Sequence, residues 1–175
     1  AAELVARMRS GKTIALVSDA GTPGISDPGA LLVARAMEAG ITVCPIPGAN
    51  AAIAALSAAG LAAPHFLFYG FLPVKAAARR SALAALRELA YTLVFYEAPH
   101  RVTECVADLA ATLGGEREIV IARELTKLFE AIHRCPLGEA GAWLAADTNR
   151  QRGEFVLIVS GAQAEKQEGL PAEAE

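Results

Sequence analysis

Short apolar runs alternate with alanine-rich helical stretches along this chain, and that alternation limits the folds open to it. Extended runs are expected at residues 12–17, 41–46, 66–69, 92–96, 117–123 and 154–160, with a further strand read at 128–134. Helices are expected at 1–9, 29–39, 50–59, 75–89, 99–113 and 137–146, several of them stopped by glycine (Gly11, Gly40, Gly60). Strands that alternate with helices predict an α/β protein with a parallel or mixed sheet. The chain is 54% hydrophobic and 20% charged, which fits a globular fold. No apolar stretch reaches membrane-spanning length, and no leader pattern opens the chain. Cys44, Cys105 and Cys135 are odd in number and far apart. They argue against a disulfide framework or a metal site, and fit a reducing cytoplasm.

The first sixty residues offer only two strands, and two strands rarely make a stable sheet. The expectation is that the first part of a domain is missing or that another molecule completes the sheet. A boundary falls near "GLAAPH". This divides the chain into residues 1–63, the remainder of an N-terminal α/β domain, residues 64–162, a C-terminal α/β domain, and a polar tail at 163–175. An unfinished sheet also leaves an edge and an apolar face to cover, from which a homodimer is expected.

The stretch "VSDAGTPGISDPG" joins the first run to a helix. Ordinary strand-to-helix connections are much shorter, and ligands of open α/β sheets bind beyond strand carboxyl ends. Ser18, Asp19, Ala20, Gly21, Thr22 and Pro23 are therefore read as a ligand loop, with Asp19 placed to accept hydrogen bonds from an amine or a ribose. Asp27 reads as an N-cap with Pro28 in the first helical position. Neither nucleotide-binding glycine fingerprint is present. A second loop, Pro47, Gly48, Ala49 and Asn50, follows the second run, with Asn50 a cap for a small-residue helix. That helix suits close approach to a flat ligand or tight packing on another helix.

Later strand ends carry charge. Lys75, Arg79 and Arg80 fall near one helical face, either a solvated face or a phosphate-binding patch. In "YEAPHRVTE", His100 and Arg101 are expected in the first helical turn, where the dipole disfavours each cation by roughly 0.3–1 kcal/mol. Such a broken local rule suggests a site. Glu97, His100, Arg101, Arg123, Glu124 and Lys127 either converge on one cleft or form a salt-bridge network. The formal net charge of −3 requires any nucleic-acid contact to use a local basic patch.

Six ordered blocks, "LVSDAGTPGISDPG", "PIPGANAAIAALSAAGL", "FLFYGFLP-K", "FYEAPHR", "ARELTK-FE" and "RGEFVLIV", resemble the ribosomal RNA small subunit methyltransferase I family. That family lies within the tetrapyrrole (corrin/porphyrin) methylase superfamily. The resemblance implies an enzyme of two α/β domains with S-adenosylmethionine (SAM) in the cleft between them, usually a homodimer, and a cytoplasmic location is expected from the cysteines. It further implies 2′-O-methylation of a decoding-region cytidine in 16S rRNA. The family's opening strand with its "TPIGNL"-like loop and its "AEDTR"-like block are absent. Asn50 replaces a usual serine and Arg152 a usual lysine. By this resemblance the loops Ser18–Pro23 and Pro47–Asn50 would hold SAM. Glu97, His100 and Glu124 would be candidates to activate the ribose hydroxyl, while Lys75, Arg79, Arg80, Arg101, Arg123 and Lys127 would hold RNA phosphates. Two rival readings are a C-methyltransferase acting on a tetrapyrrole and a non-catalytic binding fragment.

Overall fold

A computed structural model describes residues 1–61 and 64–163. It contains two compact units, Ala1–Ala58 and Ala59–Glu175. Most of the expected polar tail, residues 164–175, lies outside the described residues.

The first unit holds three helices, α1 (Ala2–Arg9), α2 (Ala30–Glu38) and α3 (Ala51–Ala58). Helix α1 places Glu3 in its first turn and Arg7 and Arg9 in its last, matching the dipole. Helix α2 starts later than expected: Gly29 is its N-cap, and no side chain caps it, so Asp27 belongs to the preceding turn. Helix α3 follows the expected pattern, with Asn50 Oδ1 accepting from Ala52 N at 3.0 Å and Ile53 N at 3.2 Å. The two expected strands at 12–17 and 41–46 are not strands here. Their apolar side chains lie open, Val17 at 80% and Ile46 at 81% exposure. Apolar patterning describes a face to be buried; a strand also requires a hydrogen-bonding partner, which the pattern does not supply.

The second unit is one five-stranded sheet in the order β1-β2-β5-β3-β4, covered by helices. Its elements are β1 (Phe66–Phe71), α4 (Ala76–Leu86), β2 (Thr92–Glu97), α5 (Val102–Leu113), β3 (Glu118–Arg123), β4 (Ala131–Pro136), α6 (Leu137–Ala145) and β5 (Phe155–Val159). A short 3₁₀ turn at Thr148–Gln151 precedes β5, with Asp147 accepting from Asn149 N. Strands β1 and β2 pair in parallel, while β5 lies antiparallel to both β2 and β3. Strand β4 pairs antiparallel with β3. The carboxyl ends of β1, β2 and β3 therefore share one edge of the sheet, together with the start of β5.

Alternation sets the core. Leu93 and Phe95 of β2, Ile119 and Ile121 of β3, and Phe155, Leu157 and Val159 of β5 join Leu83, Val106, Leu109 and Leu144 of the helices. Strand β1 shifts register between Phe68 and Gly70, and Gly70 has φ +78°, a bulge conformation that glycine adopts without strain. Three boundaries differ from the sequence reading by three residues each. Helix α4 ends at Leu86, and α5 starts at Val102 with Arg101 as its N-cap, so Pro99 and His100 form the turn before it. Strand β4 starts at Ala131, leaving Leu128 and Phe129 exposed in the loop ahead of it.

Candidate functional site

In the first unit, the two glycine-containing loops are tied together. Thr22 Oγ1 donates to Ala49 O at 2.9 Å, and Ser18 Oγ donates to Gly21 O at 2.9 Å. Gly21 has φ +82°, and a Cβ there would lie 3.6 Å from Ala49 O. Space is ordinary at this point; it is the left-handed backbone that favours glycine. Ser18, Asp19, Ala20, Gly21, Thr22 and Pro23 thus adjoin Pro47, Gly48, Ala49 and Asn50, with the Asp19 carboxylate exposed. Two adjoining loops rich in main-chain groups, one of them ahead of a small-residue helix, fit a cofactor held mainly by backbone contacts.

In the second unit, the other candidate site residues lie at the ends of β2 and β3, in the segments that follow β1, β2 and β3, and on α4. Among the three candidate acid–base residues, environments differ sharply. The Glu97 side chain is fully enclosed, with Oε1 accepting from Ala98 N at 2.8 Å and lying 3.2 Å from Arg101 Nε. That carboxylate is shut off from solvent. Beneath it, burial and the neighbouring Glu97 push the Cys105 thiol far above its usual range, so it is an inert core group. His100 stands exposed in the turn between β2 and α5. Glu124, at φ +50°, accepts from Glu154 N at 2.9 Å and Lys127 Nζ at 3.0 Å. The Glu154 N–H and the Lys127 ammonium hold its carboxyl below the usual range, so it is an ionised group.

The six cations also separate. Arg79 is 2% exposed, with Nε 2.6 Å from Asp108 Oδ2 and Nη2 3.6 Å from Glu104 Oε2. Arg79 is therefore not on a phosphate-binding face: α4 packs on α5, and the helical period that grouped it with Lys75 and Arg80 turns it inward instead. Arg101 donates from Nη2 to Leu72 O at 2.7 Å. Arg123 donates to Asn149 O and Arg152 O from Nη1, and to Phe129 O from Nη2. Both bind main chain rather than standing free. Lys127 is half exposed but bridges Glu124 and Glu154. Lys75 is exposed, and Arg80 is 54% exposed with a long 3.4 Å contact to Asp108. The sequence reading did not single out Glu104 and Asp108; their i, i+4 spacing on α5 was the available signal.

The Glu124–Lys127–Glu154 cluster has a pH signature. A carboxyl depressed on folding adds stability above its usual pKa and loses it as pH falls through the folded value. Glu124→Gln should lower the urea midpoint at pH 7 by the equivalent of about 0.5 kcal/mol, discounted for the half-exposed lysine. Wild type and variant should converge once the pH falls below the folded value of that carboxyl. A constant difference across that range would rule out the ionised carboxylate as its source.

A separate open cavity of about 500 Å³ lies at the opposite edge, lined by residues such as His65, Thr92, Glu118, Arg134 and Ser160. Arg134 closes on Glu118 at 2.7 Å and on Gly60 O at 2.7 Å. It contains none of the residues singled out from the sequence. Among the described residues, no group of acidic, histidine or cysteine side chains could hold a metal ion, and no helix is long and apolar enough to cross a membrane.

The model of the Tetrapyrrole (Corrin/Porphyrin) Methylases matches residues 1–141. The Ribosomal RNA small subunit methyltransferase I of Pseudomonas aeruginosa is 56% identical over 171 residues, 97% of this chain and 61% of that protein. The protein of the same name from Escherichia coli O157:H7 is 53% identical, covering 98% of this chain and 59% of its own length. The chain thus spans about three fifths of these relatives. Among solved structures, the methyltransferase CobJ superposes with a TM-score of 0.67 at 22% identity, covering 92% of this chain and 70% of its own. The cobalt precorrin-4 methyltransferase CbiF superposes with a TM-score of 0.61 at 18% identity, covering 91% of this chain and 68% of its own. These two likenesses establish the fold.

Proposed function

Starting from the chain's membership of the tetrapyrrole (corrin/porphyrin) methylase family, we propose that it is a SAM-dependent methyltransferase acting on the ribose 2′-hydroxyl of a cytidine in 16S rRNA. The observation that carries the choice of acceptor is the gap in identity. Proteins named for small-subunit rRNA match at 56% and 53%, whereas the methyltransferase CobJ and the cobalt precorrin-4 methyltransferase CbiF match at 22% and 18%. Cytoplasmic location and a homodimer belong to the same proposal.

The loops joined by Thr22 and Ala49 would hold SAM, with Asp19 accepting from an amine or ribose hydroxyl and Gly21 allowing close backbone approach. SAM bound there supplies an activated methyl group for in-line transfer to an oxygen nucleophile. The chain's own residues would orient the acceptor and remove its proton. His100 is the candidate that stands open to an incoming ribose, with an imidazole nitrogen able to accept a proton. Glu124 is a second candidate, already ionised but engaged by two donors. Glu97 acts behind the surface, through Arg101. Lys75, Arg80 and Lys127 would meet RNA phosphates, and the acceptor nucleotide would be unpaired so that its 2′-hydroxyl can enter.

The test is transfer of label from radiolabelled SAM to small ribosomal subunits lacking this methyl group. Label is expected on the natural ribose and none on a substrate carrying deoxyribose at that position. Gly21→Val, which forces a branched side chain into a φ of +82°, should lower transfer at least tenfold. Label on the deoxy substrate, or only on a tetrapyrrole, would overturn the assignment. SAM binding without transfer to either acceptor would mark a binding fragment.

A further inference from the structure

Three consecutive main-chain carbonyls lie just beyond β1, and guanidinium groups hold all three. Arg101 Nη2 donates to Leu72 O at 2.7 Å and to Pro73 O at 3.4 Å. Arg79 Nη1 donates to Val74 O at 3.2 Å. Each guanidinium is paired in turn with a carboxylate, Arg79 through a hydrogen bond to Asp108 at 2.6 Å and Arg101 through an ion pair with Glu97 at 3.2 Å, where Arg101 Nε makes no hydrogen bond among the described residues. The anchors are deep: the side chains of Glu97, Arg79 and Arg101 are 0%, 2% and 14% exposed. Leu72 is itself in the core, and Pro73 has a ring-fixed φ. The strap is therefore held from inside at every residue.

Burying these charges is costly, and well-packed apolar residues would often serve stability as well. One oxygen of Glu97, Oε2, is even left buried without a hydrogen-bond partner among the described residues. An arrangement that pays such a cost calls for something the stapling achieves besides stability. The strap leads directly into Lys75, exposed and without an ion pair among the described residues. A lysine on a loose loop loses conformational entropy when it binds a phosphate; one at the end of a stapled strap has already lost most of the backbone share.

We propose that Arg101 is a positioning residue for RNA: through the Leu72 and Pro73 carbonyls it fixes the point from which Lys75 meets a backbone phosphate. Arg101 does not touch the RNA itself. This rests on the RNA reading of the edge formed by the β1 and β2 loops.

The experiment measures binding of the 175-residue protein to a fluorescein-labelled single-stranded RNA by anisotropy over a range of salt concentrations. Each lost phosphate contact on a single strand lowers the log–log salt slope by about 0.7. Lys75→Ala should lower it by that amount. Arg101→Lys keeps the net charge, but one ammonium cannot reproduce the fork that meets Glu97 and both carbonyls. It should nonetheless lower the slope by the same about 0.7, and the double variant should fall no further than Lys75→Ala alone. A purely structural role for Arg101 leaves the slope untouched. Pro73→Gly, which loosens the strap with Arg101 intact, should reproduce the loss and covers the case in which Arg101→Lys does not fold. Wild-type binding with unchanged slopes in the folded variants overturns the proposal while sparing the RNA reading. Absence of wild-type RNA binding overturns that reading, and this proposal falls with it.

Discussion

Arg79→Ala is expected to destabilise the protein by about 3 kcal/mol, a drop in melting temperature of roughly 10 °C. The guanidinium is 2% exposed and sits 2.6 Å from Asp108, whose side chain is 15% exposed. Its loss would leave that carboxylate between α4 and α5 with, among the described residues, only the 3.4 Å contact to Arg80. It would also release the Val74 carbonyl and open a void where the arginine stem packs. Arg80→Ala, one residue along, should change stability by no more than about 0.5 kcal/mol. Replacing the pair together, as Arg79→Met with Asp108→Leu, should recover most of the loss, because the penalty comes from the stranded charge. Thermal unfolding of the four proteins decides the matter. A melting temperature for Arg79→Ala equal to that of Arg80→Ala would show that the inward placement contributes nothing to stability.

Phe95→Ala should cost still more, about 4 kcal/mol. Phe95 has no exposed surface, and β2 is paired on both sides, by β1 and by β5. Its ring packs in the cluster with Leu83, Val106 and Leu157 and lies 5.9 Å from the ring of Tyr69. With strands fixed on either side, the backbone cannot collapse into the space the ring vacates, so the cavity term adds to the lost transfer energy. Phe95→Leu should cost about 1 kcal/mol, because most of the volume is kept. Phe71→Ala removes a ring that is 50% exposed and meets Tyr96 edge-on, so about 1 kcal/mol is expected there as well. Urea unfolding measures all three. Were Phe95→Ala no worse than Phe71→Ala, the core assignment would fail. A domain holds only about 5–15 kcal/mol in total, so Phe95→Ala removes a large part of its margin.

The second unit was legible where local chemistry and packing agree. Runs such as "TLVFYE" and "FVLIV" are too apolar and too short to be anything but buried strands, and they appear as β2 and β5. Asn50 was legible as a cap because an amide oxygen before a helix has few other uses. Legibility failed where a partner decides. Residues 12–17 and 41–46 have strand-like side chains, yet no ladder forms, because pairing depends on a second strand that side-chain pattern does not specify. The start of α5 was misplaced by three residues because Pro99 fits a first helical turn as well as the turn before one.

The residues of the candidate site divide along the same line. By itself the sequence picked out the glycine-rich loops and placed the charged clusters at strand ends, and its ordered blocks pointed to the methylase family. Their chemistry is local and contiguous, so it survives without coordinates. Only the tertiary structure decided which charges meet solvent. Helical period assigns Lys75, Arg79 and Arg80 a common face of α4, but α5 supplies Glu104 and Asp108 to part of that face and draws Arg79 inside. Glu97 was likewise a candidate to activate the ribose hydroxyl until Arg101 and the burial of its side chain made it a support for the strap after β1. A charged side chain carries its sign in the sequence; whether water, a carbonyl or a carboxylate satisfies it depends on what the fold packs beside it.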